Sequence, residues 1–134
     1  MRVLPDTHIL VWALTDDKRL SSKAREIIMD PGHAIFYSAV STWEISIKHA
    51  AHPDNVSFSG EEFAEFCMEA GFFPLEMRDS HVVSLETLSR TDGASAHHDP
   101  FDRILIAQAK DEHMLFLTHD YTLAAYSESC IVLV

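Results

Sequence analysis

Hydrophobic positions along this chain fall into two alternating patterns: short unbroken apolar runs, and longer stretches in which apolar residues recur at helical spacing. The run Val3-Leu4-Pro5 reads as a first strand, with Asp6-Thr7 as the cap of a helix over Ile9 to Leu14. A helix over Ser22 to Met29 stops at Asp30-Pro31-Gly32, and Ala34 to Tyr37 reads as a second strand. Ser41 is placed to cap a helix from Thr42 to Ala51, which His52-Pro53-Asp54-Asn55 ends. Beyond the polar connection Val56 to Gly60, Glu61 to Ala70 is helical with Gly71 as its stop. Phe72 to Leu75 is a strand whose Pro74 suits an edge or a strand end. A helix over Asp79 to Leu88 and a polar loop over Ser89 to His98 follow. Then comes the strongest start signal in the chain, Asp99 as N-cap and Pro100 at the first position of a helix running to Glu112. Leu115 to Thr118 and Ile131 to Val134 are the last strands. This alternation predicts a single α/β domain over residues 1–134 with a mainly parallel sheet.

Acidic residues recur where these segments begin and end. Asp6 closes the first strand and Asp120 follows the run Leu115 to Thr118. Open α/β sheets bind ligands outside the carboxyl ends of their strands, and the helix that follows a strand starts at that same edge. Asp102, in the first turn of its helix, therefore shares the edge with Asp6 and Asp120. On a helical wheel Glu44 lies beside the arc Val40, Trp43, Ile47 and Ala51, so it is expected to face or border the core. A carboxylate beside apolar surface costs free energy unless it is paired or binds a cation. Converging carboxylate oxygens suit a hard divalent ion, Mg²⁺ or Mn²⁺, and the chemistry that follows is metal-assisted attack on a phosphodiester.

Each acid also has a structural reading. Asp6 can cap the first helix, Glu44 can pair with Lys48 one turn on, and Asp102 can act as the acid of a capping box. Asp99 is assigned mainly to capping, and Asp120 can serve an Asx turn before Tyr121. A zinc site would draw on His97, His98 and His119, but adjacent loop histidines do not have the usual ligand spacing. Trp12, Trp43 and Phe101 fall within periodic apolar patterns and read as core residues rather than base-stacking ones. Lys48 and Arg103 are candidate phosphate contacts, or equally partners of nearby carboxylates.

With 47% hydrophobic residues the chain can bury a proper core, and no apolar run reaches the roughly eighteen residues of a membrane span. An acid at position 6 interrupts any signal-peptide core, and Cys67 and Cys130 are two scattered thiols, so a cytoplasmic, reduced protein is expected. The net charge of −11, with only ten Lys and Arg, opposes general affinity for nucleic acid and favours a basic protein partner.

Four ordered segments carry a resemblance: Leu4-Pro5-Asp6-Thr7-His8-Ile9-Leu10-Val11-Trp12-Ala13-Leu14, Ser38-Ala39-Val40-Ser41-Thr42-Trp43-Glu44-Ile45-Ser46-Ile47-Lys48, His98-Asp99-Pro100-Phe101-Asp102-Arg103, and Leu117-Thr118-His119-Asp120. Together they resemble the PIN-domain ribonucleases, most closely the VapC-type toxins of VapBC toxin–antitoxin pairs. The resemblance implies a three-layer α/β/α sandwich with a central parallel sheet. It also implies that Asp6, Glu44, Asp102 and Asp120 are the catalytic and metal-binding acids, holding Mg²⁺ or Mn²⁺. Its further implications are an RNA substrate, a cognate antitoxin whose basic tail enters the acidic site, and a homodimer. Asp120 matches the more variable fourth acid of the family. Two departures stand out: Pro5, where relatives have an aliphatic residue, and the loop Ser89 to His98, where a shorter connection is expected. A PIN-like module that holds RNA or protein without cutting is the competing reading. A phosphoryl-accepting signalling domain fits poorly, because Asp6-Thr7 lacks a paired acid and no lysine lies between Leu115 and Val134.

Overall fold

The first strand, β1 (Arg2–Pro5), carries Val3 and Leu4 fully buried on opposite faces, which is the pattern of a central strand covered on both sides. The structure is a computed structural model and describes residues 1–90 and 99–134. Most of the polar loop expected over Ser89 to His98, including His97 and His98, lies outside the described residues. After β1 come α1 (Thr7–Leu14), α2 (Ser22–Met29), β2 (Ala34–Ser38), α3 (Ala39–Ala51) and α4 (Gly60–Glu69). They are followed by β3 (Phe73–Leu75), α5 (Asp79–Ser84), α6 (Pro100–Glu112), β4 (Leu115–Thr118) and β5 (Ile131–Leu133). Short 3₁₀ turns cover Leu85–Thr87 and Tyr121–Ala125.

The strands form one parallel sheet in the order β3-β2-β1-β4-β5. Side chains alternate across it as strand geometry requires. Val3, Ile35 and Leu117 pack against Ile9 and Trp12 of α1 and Ala24 of α2. Tyr37 joins Leu10, Phe63 and Cys67 beside α4. On the opposite face Leu4, Leu75 and Phe116 meet Ile104, Leu105 and Ala109 of α6. The result is helix, sheet, helix. Pro5 is accommodated because β1 pairs with β2 only through Arg2 and Val3, so its missing N–H costs no bond on that side.

Gly60 opens α4 at a point where it presses on α3. A Cβ there would lie 1.8 Å from Ser46 Oγ, so only glycine permits the approach. Ser59 and Glu62 close a reciprocal capping box over the same helix start.

Two features of α3 differ from the sequence expectation. The helix starts at Ala39, not Thr42, because Ser38 takes an extended backbone and its Oγ accepts the Val40 N–H at 3.0 Å. Ser41, expected as the cap, is instead buried inside the helix. The buried face is Val40, Ser41, Glu44 and Ile45, whereas Trp43 and Ile47 stand 51% and 45% exposed. Of the apolar arc drawn on the wheel only Val40 packs; Glu44 beside it is buried as expected, and Trp43 is not a core residue. Trp12 is one, and Phe101 packs against the core from its edge.

Candidate functional site

Strand order places a topological switch between β1 and β4. The crossovers after β1 and β2 lead towards β3, whereas β4 and β5 lie on the other side of β1. The carboxyl ends of β1 and β4 diverge there and leave a crevice, the place where open α/β sheets bind ligands. Asp6 follows β1 and Asp120 lies two residues beyond β4. The start of α6 brings Asp102, and the second turn of α3 brings Glu44.

Asp6 is buried at the helix start, its N–H donating to Leu117 O at 2.8 Å. Its Oδ1 accepts the Ile9 N–H at 2.9 Å and so caps α1, while its Oδ2 accepts the Thr118 hydroxyl at 2.5 Å. Capping and a place in the acidic site thus coexist. Burial pushes the Asp6 carboxyl above its usual range. The Thr118 and Ile9 donors and His8 pull back against this, and Glu44 adds to it.

Glu44 is buried as well. Its Oε1 accepts the Thr7 hydroxyl at 2.8 Å and its Oε2 accepts from Lys48 Nζ at 2.6 Å. Thr7 Oγ1 also lies 2.9 Å from Ser41 Oγ. The single Thr7 proton goes to Glu44, so Ser41 is the donor in that second bond. This chain of hydroxyls explains why Ser41 and Glu44, rather than Trp43 and Ile47, turn inward.

Asp102 is strongly perturbed too. Its carboxyl is pushed up to about 8, first by burial and then by the like charges of Asp99, Asp6, Glu44 and Asp120. Every acid singled out at this sheet edge therefore acts on one side chain. Asp99 also caps α6, accepting from Phe101 N at 2.9 Å and Asp102 N at 3.4 Å. Asp120 is exposed, and its Oδ1 accepts from Thr122 N at 3.0 Å and Thr122 Oγ1 at 2.6 Å. The Asx-turn reading of Asp120 is realised, with its charge still felt at Asp102.

The donor set available to a cation is all oxygen and carries a surplus of negative charge, which fits Mg²⁺ or Mn²⁺ and not a soft metal. The ligand atoms of His81, Asp111 and Glu112 form a tighter group, all within 4.8 Å of one another. His81 was not singled out from the sequence, since one histidine inside a short helix carries no spacing signal. Its hydrogen bonds argue against a metal ligand. Nδ1 accepts the Arg78 N–H at 3.0 Å, so the ring proton sits on Nε2 and points to Glu112 Oε1 at 3.1 Å. No lone pair remains for a cation.

That group is the end of a buried polar chain. Ser38 Oγ donates to Gln108 Oε1 at 2.5 Å, and Gln108 Nε2 lies 3.3 Å from His81 Nδ1. Ser38 thus bonds Gln108 and caps α3, and Thr118 bonds Asp6. The two cysteines are free, and burial raises the Cys67 thiol to about 12, which makes it inert.

A parallel sheet in this order, flanked by helices and with acids at the β1/β4 crevice, defines a class of α/β proteins with an acidic site at the switch point. Residues 3–128 match the family model of the PIN domain, and the chain belongs to that family. Among solved structures it is similar to VapBC2 from Rickettsia felis bound to a promoter DNA fragment, with TM-score 0.71 and 11% identity over 100% of this chain and 98% of that one. It is also similar to a toxin–antitoxin complex from Klebsiella pneumoniae, with TM-score 0.59 and 16% identity over 97% and 95% of the two chains. No match was found among curated protein sequences.

Proposed function

We propose that this PIN domain is a metal-dependent endoribonuclease and the toxin of a type II toxin–antitoxin pair. The observation that carries the reading is Asp102, half-buried at the crevice and raised to about 8 first by burial and then by the like charges of Asp99, Asp6, Glu44 and Asp120. Negative charge gathered in this way is costly in a resting fold and is relieved by a divalent cation. Asp6, Glu44, Asp102 and Asp120 would hold it. A bound Mg²⁺ or Mn²⁺ supplies the Lewis acidity that activates water and offsets charge on the leaving oxygen.

The remaining work falls to the chain's own groups. Thr118 and the Ile9 N–H fix both oxygens of Asp6, and Thr7, itself held by Ser41, fixes Glu44. Preorganisation of this kind spares the site a reorganisation cost when charge develops on the phosphate. Lys48 neutralises Glu44 in the resting protein and is free to turn to a phosphate when a cation takes over that task.

The antitoxin belongs to the same proposal. Both solved relatives come from toxin–antitoxin complexes, and the charge of −11 suits a basic partner. A cavity of about 450 Å³, lined by Leu14, Leu20, Ile28, Phe66 and Phe72 together with the charged Arg25 and Glu69, gives a partner segment a surface. The test is incubation of antitoxin-free protein with a pool of tRNA and structured RNA in Mn²⁺. Discrete cuts that disappear in Asp6→Asn and with EDTA are expected. Cuts that persist in Asp6→Asn would sink the mechanism.

A further inference from the structure

Beside the acids, on the side of α1 and α3, the surface opens into a cavity of about 420 Å³. Residues of its lining act directly on the acidic centre. Thr7 donates to Glu44 Oε1 at 2.8 Å, Lys48 Nζ meets Glu44 Oε2 at 2.6 Å, and His8 pulls down the Asp6 carboxyl. The cavity and the acids therefore share a wall, and an occupant of the one lies next to whatever the other holds.

The rest of the lining is of another kind. Ile45 and Phe58 give it apolar walls, and Asn55 stands in the connection between α3 and α4. Among the described residues the Asn55 side-chain amide has no hydrogen-bond partner in the protein. Arg19 completes the lining. Asp17 binds its Nε and Nη2 at 3.1 and 2.8 Å, and its guanidinium lies 5.2 Å over the Trp12 ring. Held along one edge and one face, the guanidinium keeps the two N–H donors of Nη1 for a ligand.

The cavity falls in the size range of small-molecule sites, about 300–1,000 Å³, and has their make-up of apolar walls with a few orienting polar groups. Two cations at one cavity stand out in a chain with ten Lys and Arg against 21 Asp and Glu. They call for an anion, while the apolar walls and the open amide call for a flat ring with a hydrogen-bonding edge. A nucleotide combines the two.

Building on the nuclease reading above, we propose that this cavity is a specificity pocket for the nucleotide next to the phosphate that is cut, with Arg19 and Lys48 on its own phosphate and Asn55 reading its base. The two kinds of contact differ in what they carry. A phosphate contact is blind to sequence, whereas a contact to a base edge reports it.

The experiment cuts an RNA library of randomised sequence with wild type in Mn²⁺ and reads the bases around each cut by sequencing. Expected is a preference at one position beside the cut, about tenfold between the best and the worst base. Asn55→Ala should flatten that position alone. Asn55→Asp, which exchanges the amide donors for acceptors, should change the favoured base. Arg19→Gln should raise KM about tenfold for every sequence alike. No preference in wild type, or a preference that survives Asn55→Ala, would overturn the proposal, since a merely structural Asn55 alters the rate and not the base chosen.

A binding arm separates the pocket from the nuclease reading. Asp6→Asn protein is titrated with each of the four nucleoside bisphosphates, and the Asn55 side-chain amide is followed in heteronuclear NMR spectra. A base-dependent shift of that amide without any cutting by wild type would remove the nuclease reading and leave the pocket standing. Cutting without preference, and no shift with any nucleotide, would do the opposite. Neither cutting nor a shift would remove both.

Discussion

Ser38, Gln108 and His81 are as deeply buried as Asp6 and Glu44, yet the two groups are assembled differently. Along the first, the groups are held by neutral donors: the Ser38 hydroxyl meets the Gln108 carbonyl, the Gln108 amide approaches Nδ1 of His81, whose lone pair takes the Arg78 N–H, and Nε2 of His81 meets Glu112. The chain runs from the cap of α3 to the last turn of α6 and ties the two helices that carry Glu44 and Asp102. In the second group each oxygen of Asp6 and Glu44 also has a donor, yet the carboxylates crowd one sheet edge. Burial, and then the like charges of Asp99, Asp6, Glu44 and Asp120, raise Asp102 to about 8. A balanced buried network serves the fold. One crowded with carboxylates costs stability and is kept for what it binds.

The comparison is broken most sharply by paired substitutions. Asp6→Asn is expected to reduce RNA cleavage by about three orders of magnitude or more, with melting unchanged or raised, because a buried charge is removed. Activity assays beside thermal melts check this. Gln108→Ala should do the reverse. It opens a cavity and strands the Ser38 hydroxyl, with an expected loss of about 2–4 kcal/mol in denaturant unfolding. Cleavage by the molecules that remain folded should persist.

The next effect is a pH dependence with a defined sign. Asp102 is raised from the ordinary 3.8 to about 8 in the fold, so it holds its proton to higher pH in the folded state than in the unfolded one. Its contribution to stability is complete below 3.8 and is lost progressively as pH rises through about 8. Metal-free protein should therefore melt lower at pH 8 than at pH 6, a trend that flattens in Asp102→Asn. Mn²⁺ competes with that proton, so its stabilising shift should be larger at the higher pH. The smallest effect is expected from Lys48→Met. Lys48 is half exposed, and losing its pair with Glu44 should cost about 1 kcal/mol or less in metal-free protein. Added Mn²⁺ should restore most of that loss.

Much of the fold was legible because it rests on local signals. Asp99-Pro100 starts α6 where capping chemistry says it should, Gly71 sits at φ 88 just past α4, and the apolar runs became the five strands. The start of α3 was less legible, since Ser38 and Ser41 are both plausible caps and only tertiary contacts choose between them. Thr7 draws Ser41 and Glu44 inward, so the buried face is turned from the apolar arc and leaves Trp43 and Ile47 outside. Periodicity cannot report a polar face that is buried by hydrogen bonds from another helix. For the same reason the exposure of Trp43 and the chain through Gln108 and His81 had no signature in the sequence. The gathering of acids around Asp102 could be anticipated from strand ends, because in a parallel sheet topology carries them to one edge.

The most direct test of the central claim is a calorimetric titration of Mn²⁺ into metal-free wild type and Asp102→Asn at neutral pH, in two buffers of different ionisation enthalpy. The account predicts binding to wild type with release of a proton, and weaker binding without that release in the variant. No binding to well-folded wild type, or binding with no proton released, would contradict an acidic centre that exchanges its proton for a cation.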